Sequence, residues 1–286
     1  MKNIKIQYSS KNIILMGLLL LCIPTRVFAD SSPVIQVKQG EVAFLKIISS
    51  EIRPVLERKF LGKMIYFNRL QNSDQFGALI GVDLEEKASE QKVTDLTQID
   101  TQALIRIIPN QFERQELKVA PEYVNPSPEQ IKRVKIEKDE IVAILSVISE
   151  KKLWDGKFII PVDGIREGRF GSRRVFNGEA RSPHSGEDIA AAEKTPVYAS
   201  NDGVIVGVVD HFFSGIGIIM DHGQGLFTEY FHLNKSLVKI GQKVKKGTLI
   251  GLVGHTGRAT GPHLHWGMLI NGARVNPYSV LQLEVE

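Results

Sequence analysis

Between Val34 and Val119 the chain alternates short apolar runs with polar clusters. Val42-Ala43-Phe44-Leu45, Met64-Ile65-Tyr66-Phe67, Ala78-Leu79-Ile80-Gly81-Val82 and Ala103-Leu104-Ile105-Arg106-Ile107-Ile108 are each of strand length. Lys38-Gln39-Gly40 and Asn72-Ser73-Asp74 read as turns between such runs. This texture predicts a small antiparallel β domain over residues 30–123. A proline-rich break follows at Val124-Asn125-Pro126-Ser127-Pro128-Glu129. Ser127 is placed to cap a helix, with Pro128 at its first position. Apolar residues at Ile131, Val134, Ile141, Leu145 and Ile148 predict a connecting helix inside a linker over 124–156.

From Phe158 onward the pattern changes. Of the 25 glycines, 19 lie at or after Gly164. Apolar runs from Gly203 to Val209, Gly215 to Met220, Leu226 to His232, Leu249 to Val253 and Leu264 to Ile270 predict strands. Glycine at this density marks tight turns and bulges in a compact β architecture. The expected fold class is therefore mainly β. It comprises the N-terminal antiparallel domain, the linking α-helix, and a glycine-rich antiparallel domain over 157–286, built as a sandwich or barrel. No internal repeat or low-complexity tract interrupts it.

The first residues change the reading of charge. Lys2, Lys5 and Lys11 precede an apolar run from Ile13 to Ile23, and Val27-Phe28-Ala29 precedes Asp30. This is the layout of a secretory signal peptide over 1–29, cleaved after Ala29. A spanning helix needs roughly 20 apolar residues and this run offers about half, so no stable membrane anchor is expected after cleavage. The formal net charge of +4 falls to zero once Lys2, Lys5, Lys11 and Arg26 leave, because residues 1–29 carry no acid. Nucleic acid is not an expected partner. The single cysteine, Cys22, leaves with the leader, which excludes thiolate metal sites and cysteine nucleophiles. Periplasm is the expected location, with the extracellular medium as the alternative.

All seven histidines lie in the glycine-rich half. His184-Ser185-Gly186-Glu187-Asp188 gives H-x-x-x-D, His232 stands apart, and Pro262-His263-Leu264-His265-Trp266 gives H-x-H. Two imidazoles and one carboxylate can hold a zinc ion with a fourth position open for water. Two further imidazoles can then move protons near that water. On a strand, residues two apart face the same side. His263 and His265 should point together, with Leu264 and Trp266 turned into packing. Thr228, Tyr230 and His232 should share one face of their run, and His184 and Asp188 share parity around Gly186. Each piece alone is a weak signal; spacing does not say which histidine of H-x-H would bind metal.

Six segments occur in order. They are Phe170-Gly171-Ser172-Arg173-Arg174, His184 to Ala190, Thr195-Pro196-Val197-Tyr198-Ala199, Asp221-His222-Gly223, Tyr230-Phe231-His232-Leu233 and Gly257 to His265. Together they resemble the lysostaphin/LytM-type zinc endopeptidases that cut peptidoglycan peptides, over about residues 157–280. The resemblance implies that His184, Asp188 and His265 are the zinc ligands. It implies that His232 and His263 are the catalytic pair. It also implies a small antiparallel β fold with a long cleft, peptidoglycan peptides as substrate, and Zn2+ as cofactor. There is no H-E-x-x-H, so base and transition-state roles are assigned to the two histidines.

Glu187 stands where the family has an aliphatic residue; it is expected either to stay exposed on the opposite face or to add negative potential near the metal. Ala192 and Lys194 replace a proline and a glycine, and His255 replaces a small polar residue. These departures bear on substrate preference more than on the chemistry. His222, His211 and His255 read as turn or loop residues. Three other functions stand beside the hydrolase. One is a latent or non-catalytic wall protein that binds murein or activates another hydrolase, with a regulatory protein partner. Another is a protease acting more broadly on glycine-rich proteins. A carrier module is the third, since Gly241 to Gly251 resembles a turn of lipoyl, biotinyl and phosphotransferase domains; no hairpin-tip lysine supports it.

Overall fold

Strand-forming runs between Val34 and Ile108 assemble one sheet. The computed structural model describes residues 34–48, 52, 54–71, 73–95 and 101–283. The expected leader, and Asn72 of the expected turn, lie outside the described residues. Seven strands, β1 (Val34–Lys38), β2 (Val42–Ile48), β3 (Val55–Phe60), β4 (Lys63–Arg69), β5 (Gln75–Gly81), β6 (Ser89–Asp95) and β7 (Thr101–Ile108), pair in the order β1-β7-β6-β3-β4-β5-β2. Alternate residues feed an apolar core that includes Leu45, Leu56, Phe67, Phe76, Ile80 and Ile105. One pairing departs from the antiparallel expectation: β1 runs parallel to β7. A strand so far from its partner in sequence is not bound to it by a hairpin, so its direction is free.

The chain then crosses to the second half. Strand β8 (Arg114–Leu117) pairs in parallel with β10 (Arg173–Phe176), which also carries β11 (Glu179–Ala180). Helix α1 (Pro128–Ser146) starts as its sequence predicts. Ser127 accepts a hydrogen bond from the Gln130 backbone N–H while the Gln130 side chain accepts from the Ser127 N–H, a complete capping box. Its inward face differs from the expected one. Ile141, Ile144 and Leu145 pack on the second sheet, whereas Ile131 and Ile148 are exposed.

The remaining strands are β9 (Ile165–Gly168), β12 (Gly186–Ala190), β13 (Pro196–Tyr198), β14 (Gly203–His211), β15 (Gly215–Gly223) and β16 (Leu226–Ser236). They continue through β17 (Lys243–Val244), β18 (Leu249–Val253), β19 (His263–Ile270) and β20 (Ala273–Val275) to helix α2 (Pro277–Leu281). The main path of the sheet is β17-β14-β15-β16-β19-β12-β9, antiparallel throughout. One face builds the main core around Ile218, Tyr230, Leu264 and Trp266, all fully buried. The other face carries Val209, Ile219, Phe227, Phe231 and Leu269, with α1 packed over part of it. The alternation along β15 and β19 separates the two faces.

The two sheets are joined. Val42 and Leu79 of the first belong to the main core of the second. The Asn276 N–H donates to the Gly40 carbonyl at 2.7 Å, and the Arg274 N–H to Asp83 at 2.8 Å. Asn68 and Gln224 exchange two amide hydrogen bonds at 2.9 and 3.0 Å. The described residues thus form one compact unit.

Candidate metal centre

Antiparallel register brings three polar residues together. Asp188 on β12 lies directly opposite His265 on β19, and Ala190 lies opposite His263. His184 enters from the loop before β12. The distances are 3.0 Å between His184 Nε2 and Asp188 Oδ1, 2.9 Å between His265 Nδ1 and Asp188 Oδ1, and 2.9 Å between the two histidine nitrogens. His184, Asp188 and His265 are also the described His/Cys/Asp/Glu group whose ligand atoms all converge. Two glycines make room for it. A Cβ at Gly168 would sit 2.4 Å from Asp188 Oδ2, and one at Gly186 would sit 2.7 Å from His265 Nε2.

His184 and Asp188 are each oriented by a further partner. The His184 Nδ1–H donates to the Arg169 carbonyl at 3.1 Å, which leaves Nε2 as the free lone pair. Burial pushes the His184 imidazole down to about 4 against the pull of Asp188, so it is neutral at pH 7. Burial would raise the Asp188 carboxyl, but His184 and His265 hold it well below the usual carboxylate range. Arg174 binds Asp188 Oδ2, so a single oxygen, Oδ1, faces the histidines. This arginine lies in one of the motifs that carried the resemblance, yet strand parity gave no reason to assign it a role.

Proton counting tests whether a cation fits here. His184 has given its one hydrogen to Arg169, and Asp188 is ionised. Two lone pairs therefore face each other and His265 Nδ1, and one hydrogen cannot satisfy all three contacts. A shared cation does. Zinc bonds of about 2.0–2.1 Å in a tetrahedron set donors roughly 3.3 Å apart, within a few tenths of an ångström of the observed triangle.

The other two histidines stand beside this triangle. His263 and His265 share a face as expected, and Leu264 and Trp266 are fully buried on the other. The His263 Nδ1–H donates to the Gly261 carbonyl at 2.9 Å, and its Nε2 lies 3.8 Å from Asp188 Oδ1. The His232 ring centre lies 4.7 Å from that of His263 and 6.0 Å from that of His265. His232 does not share a face with Thr228 and Tyr230. The pairing of β15 with β16 shifts register here, and His232 adopts φ +60°. This bulge turns its side chain to the Phe231 face, while Tyr230 and Thr228 stay in the interior with Ser200 and His222. The His232 Nδ1–H donates to the Thr256 carbonyl at 2.8 Å. Burial, then His263 and His265, push its imidazole down to about 3, so it too is neutral with Nε2 free.

Several outlying residues depart from their expected settings. Glu187 does lie on the face opposite Asp188, but it is fully buried. Arg166 grips both its oxygens and the Phe170 N–H donates to it at 3.1 Å, so its charge is neutralised and braces β9 against β12. His222 is no turn residue. It is a fully buried strand residue bonded to the Asp202 carbonyl and the Thr228 hydroxyl, with its imidazole pushed down to about 4 by burial. His211 ends β14, buried against Glu140, whereas His255 is an exposed loop residue near Glu193. Lys194 adopts φ +69°, the conformation that explains a glycine at this turn in the family.

A cleft of about 420 Å³ opens at the triangle, lined by His184, His232 and His265 together with four arginines, a glutamate and Ile141 of α1. Residues 182–277 match Peptidase family M23. Over 108 residues the chain is 50% identical to the peptidoglycan DD-endopeptidase ShyA of Vibrio cholerae, covering 37% of this chain and 25% of that protein. Over 97 residues it is 46% identical to the DD-carboxypeptidase/endopeptidase Mpg of Neisseria meningitidis, covering 34% of this chain and 22% of that protein. The matched stretch thus spans about a quarter of these curated relatives. A crystal structure from Pseudomonas aeruginosa, described as an M23 peptidase, is 30% identical with a TM-score of 0.68, covering 85% of this chain and 94% of that one. With the triangle of His184, Asp188 and His265 inside the matched segment and the likeness extending over both sheets, this chain belongs to peptidase family M23.

Proposed function

We propose that the protein is an exported zinc metallopeptidase that hydrolyses peptide cross-links of bacterial peptidoglycan. The observation that carries this reading is the triangle of His184, Asp188 and His265 with two imidazole Nε2 atoms presented beside it. Two nitrogens and one carboxylate oxygen are a donor set suited to zinc. When bound, zinc supplies a Lewis acid that polarises the scissile carbonyl and acidifies water.

His232 and His263 supply the proton transfers. Both are locked as Nδ1–H tautomers by backbone carbonyls, so each keeps Nε2 free beside the triangle. One takes the proton of the attacking water at its free Nε2; the other, once it has taken up a proton from solvent at Nε2, stabilises the developing oxyanion or protonates the leaving amine. Thr256 fixes His232 through its carbonyl, and its hydroxyl is itself held by the Ile216 N–H and the Leu233 carbonyl. The names of the relatives support peptidoglycan as substrate. The leader pattern of residues 1–29 supports export, with the periplasm as the working compartment.

Digestion of purified cross-linked peptidoglycan, with and without a zinc chelator, tests this reading by mass spectrometry of the released muropeptides. The expected result is chelator-sensitive loss of cross-linked dimers. Intact dimers after incubation with zinc-loaded protein would refute it.

A further inference from the structure

We infer that the cleft beside the metal ligands contains a carboxylate-reading subsite centred on Arg258, which selects substrates carrying a free carboxyl group near the scissile bond. The inference rests on the reading of the cleft as a peptidase site for cross-linked wall peptides.

Four arginines line the cleft: Arg174, Arg181, Arg258 and Arg274. Three of them are engaged. Arg274 pairs with the buried Glu229 at 3.0 Å, and Arg174 is bound to Asp188. Arg181 reaches the Val124 carbonyl at 2.8 Å and the Glu179 carboxylate at 2.7 Å. Arg258 differs. Its guanidinium lies 4.5 Å from the ring centres of both Phe176 and Phe213, and no carboxylate among the described residues pairs with it.

Two aromatic faces fix the plane of the guanidinium and strip much of its water. Burial, followed by the charges of Arg174 and Arg181, lowers its pKa to about 10, so it remains a cation at neutral pH. A half-buried cation among like charges is unfavourable until an anion arrives. The fork is then preset for two parallel hydrogen bonds to a carboxylate. A wall peptide cross-linked through a diamino acid offers two such anions: the carboxyl of that residue and the C-terminal carboxyl.

The test uses three synthetic cross-linked peptides: the free acid, the diamino-acid carboxamide and the C-terminal carboxamide. kcat/KM is measured on the zinc-loaded full chain, and binding on the same chain carrying His232→Ala. One amidation should lower both kcat/KM and affinity about 10- to 100-fold, the scale of a charged hydrogen-bonded pair, and its position names the carboxyl that is read. Arg258→Gln should bring the acid-to-amide ratio close to one, and Arg258→Lys should keep part of it. If neither amidation matters, or if Arg258→Gln melts like the wild type and keeps the full ratio, the subsite is refuted. Should Arg258→Gln melt early, the wild-type ratio and its partial survival in Arg258→Lys decide. Peptides bound with this selectivity but left uncut would uphold the subsite and overturn the hydrolase reading. Absence of binding to any of them would overturn the subsite.

Discussion

The two sheets put the same alternation to different uses. In the seven-stranded sheet, alternate residues build an apolar interior around Leu45, Phe67, Phe76 and Ile80. In the second sheet one parity does the same with Ile218, Tyr230, Leu264 and Trp266, while the other parity of β12 and β19 presents Asp188, His263 and His265. The first pattern encodes only that a sheet forms. The second encodes a sheet and a candidate reactive face at once, because a carboxylate and two imidazoles replace apolar residues on strands already held by their inner face. Glycines at 168 and 186 complete this by giving Asp188 and His265 the space that side chains would fill. A clean division follows: changes on the reactive face should alter metal content and chemistry, and changes in the first core should alter stability alone.

The strongest way to break that division is Asp188→Ala. It removes the oxygen shared by both histidines and leaves Arg174 without its carboxylate. Metal content after dialysis should fall from stoichiometric to near zero, with activity lost alongside. A fully metallated variant would remove Asp188 from the ligand set. His232→Ala and His263→Ala come next. Each should retain metal yet lose about 10²- to 10⁴-fold in kcat/KM, the usual contribution of a positioned acid or base. Wild-type turnover in either one would strip that histidine of its role.

Much of this division was legible in the sequence, and the exceptions have physical causes. The H-x-H face was readable because β19 pairs without interruption against β12, so period two holds from His263 to Trp266. The Ser127 cap was readable because its signal is local. His232 was not placed correctly, because a bulge reverses the parity that alternation assumes, and Tyr230-Phe231-His232 carries no glycine to announce it. His222 reads as a turn residue because Gly223 follows it and Gly225 is close by, whereas the turn begins only after β15 ends. The partners that orient the site are backbone carbonyls of Arg169, Thr256 and Gly261, which no side-chain pattern reveals. Arg174 and Glu187 needed long-range partners before either could be understood: Asp188 for the first, Arg166 for the second.

Phe67→Ala probes the division from the other side. Phe67 is fully buried in the first core, so its truncation should cost about 3–5 kcal/mol in denaturant unfolding. Metal affinity of the folded fraction should not change. A weakened metal site would mean that the first sheet holds the second in its active geometry, through contacts such as Asn276 to Gly40 and Arg274 to Asp83.

The smallest expected effect sharpens the comparison most finely, because helix α1 touches the reactive half without supplying a ligand. Ser127→Ala removes one side of the capping box and should cost about 1 kcal/mol of stability. The helix is also pinned downstream, where Glu137 accepts from the Phe212 N–H at 3.0 Å and Ile141, Ile144 and Leu145 pack on the sheet. Loss of the cap should therefore fray only its first turn, leaving Ile141 in the cleft wall. Unchanged kcat/KM with a lowered unfolding midpoint is the expected pair of results. A change in kcat/KM of several-fold would show that the cleft wall depends on the far end of the helix, and would move α1 from the scaffold into the site.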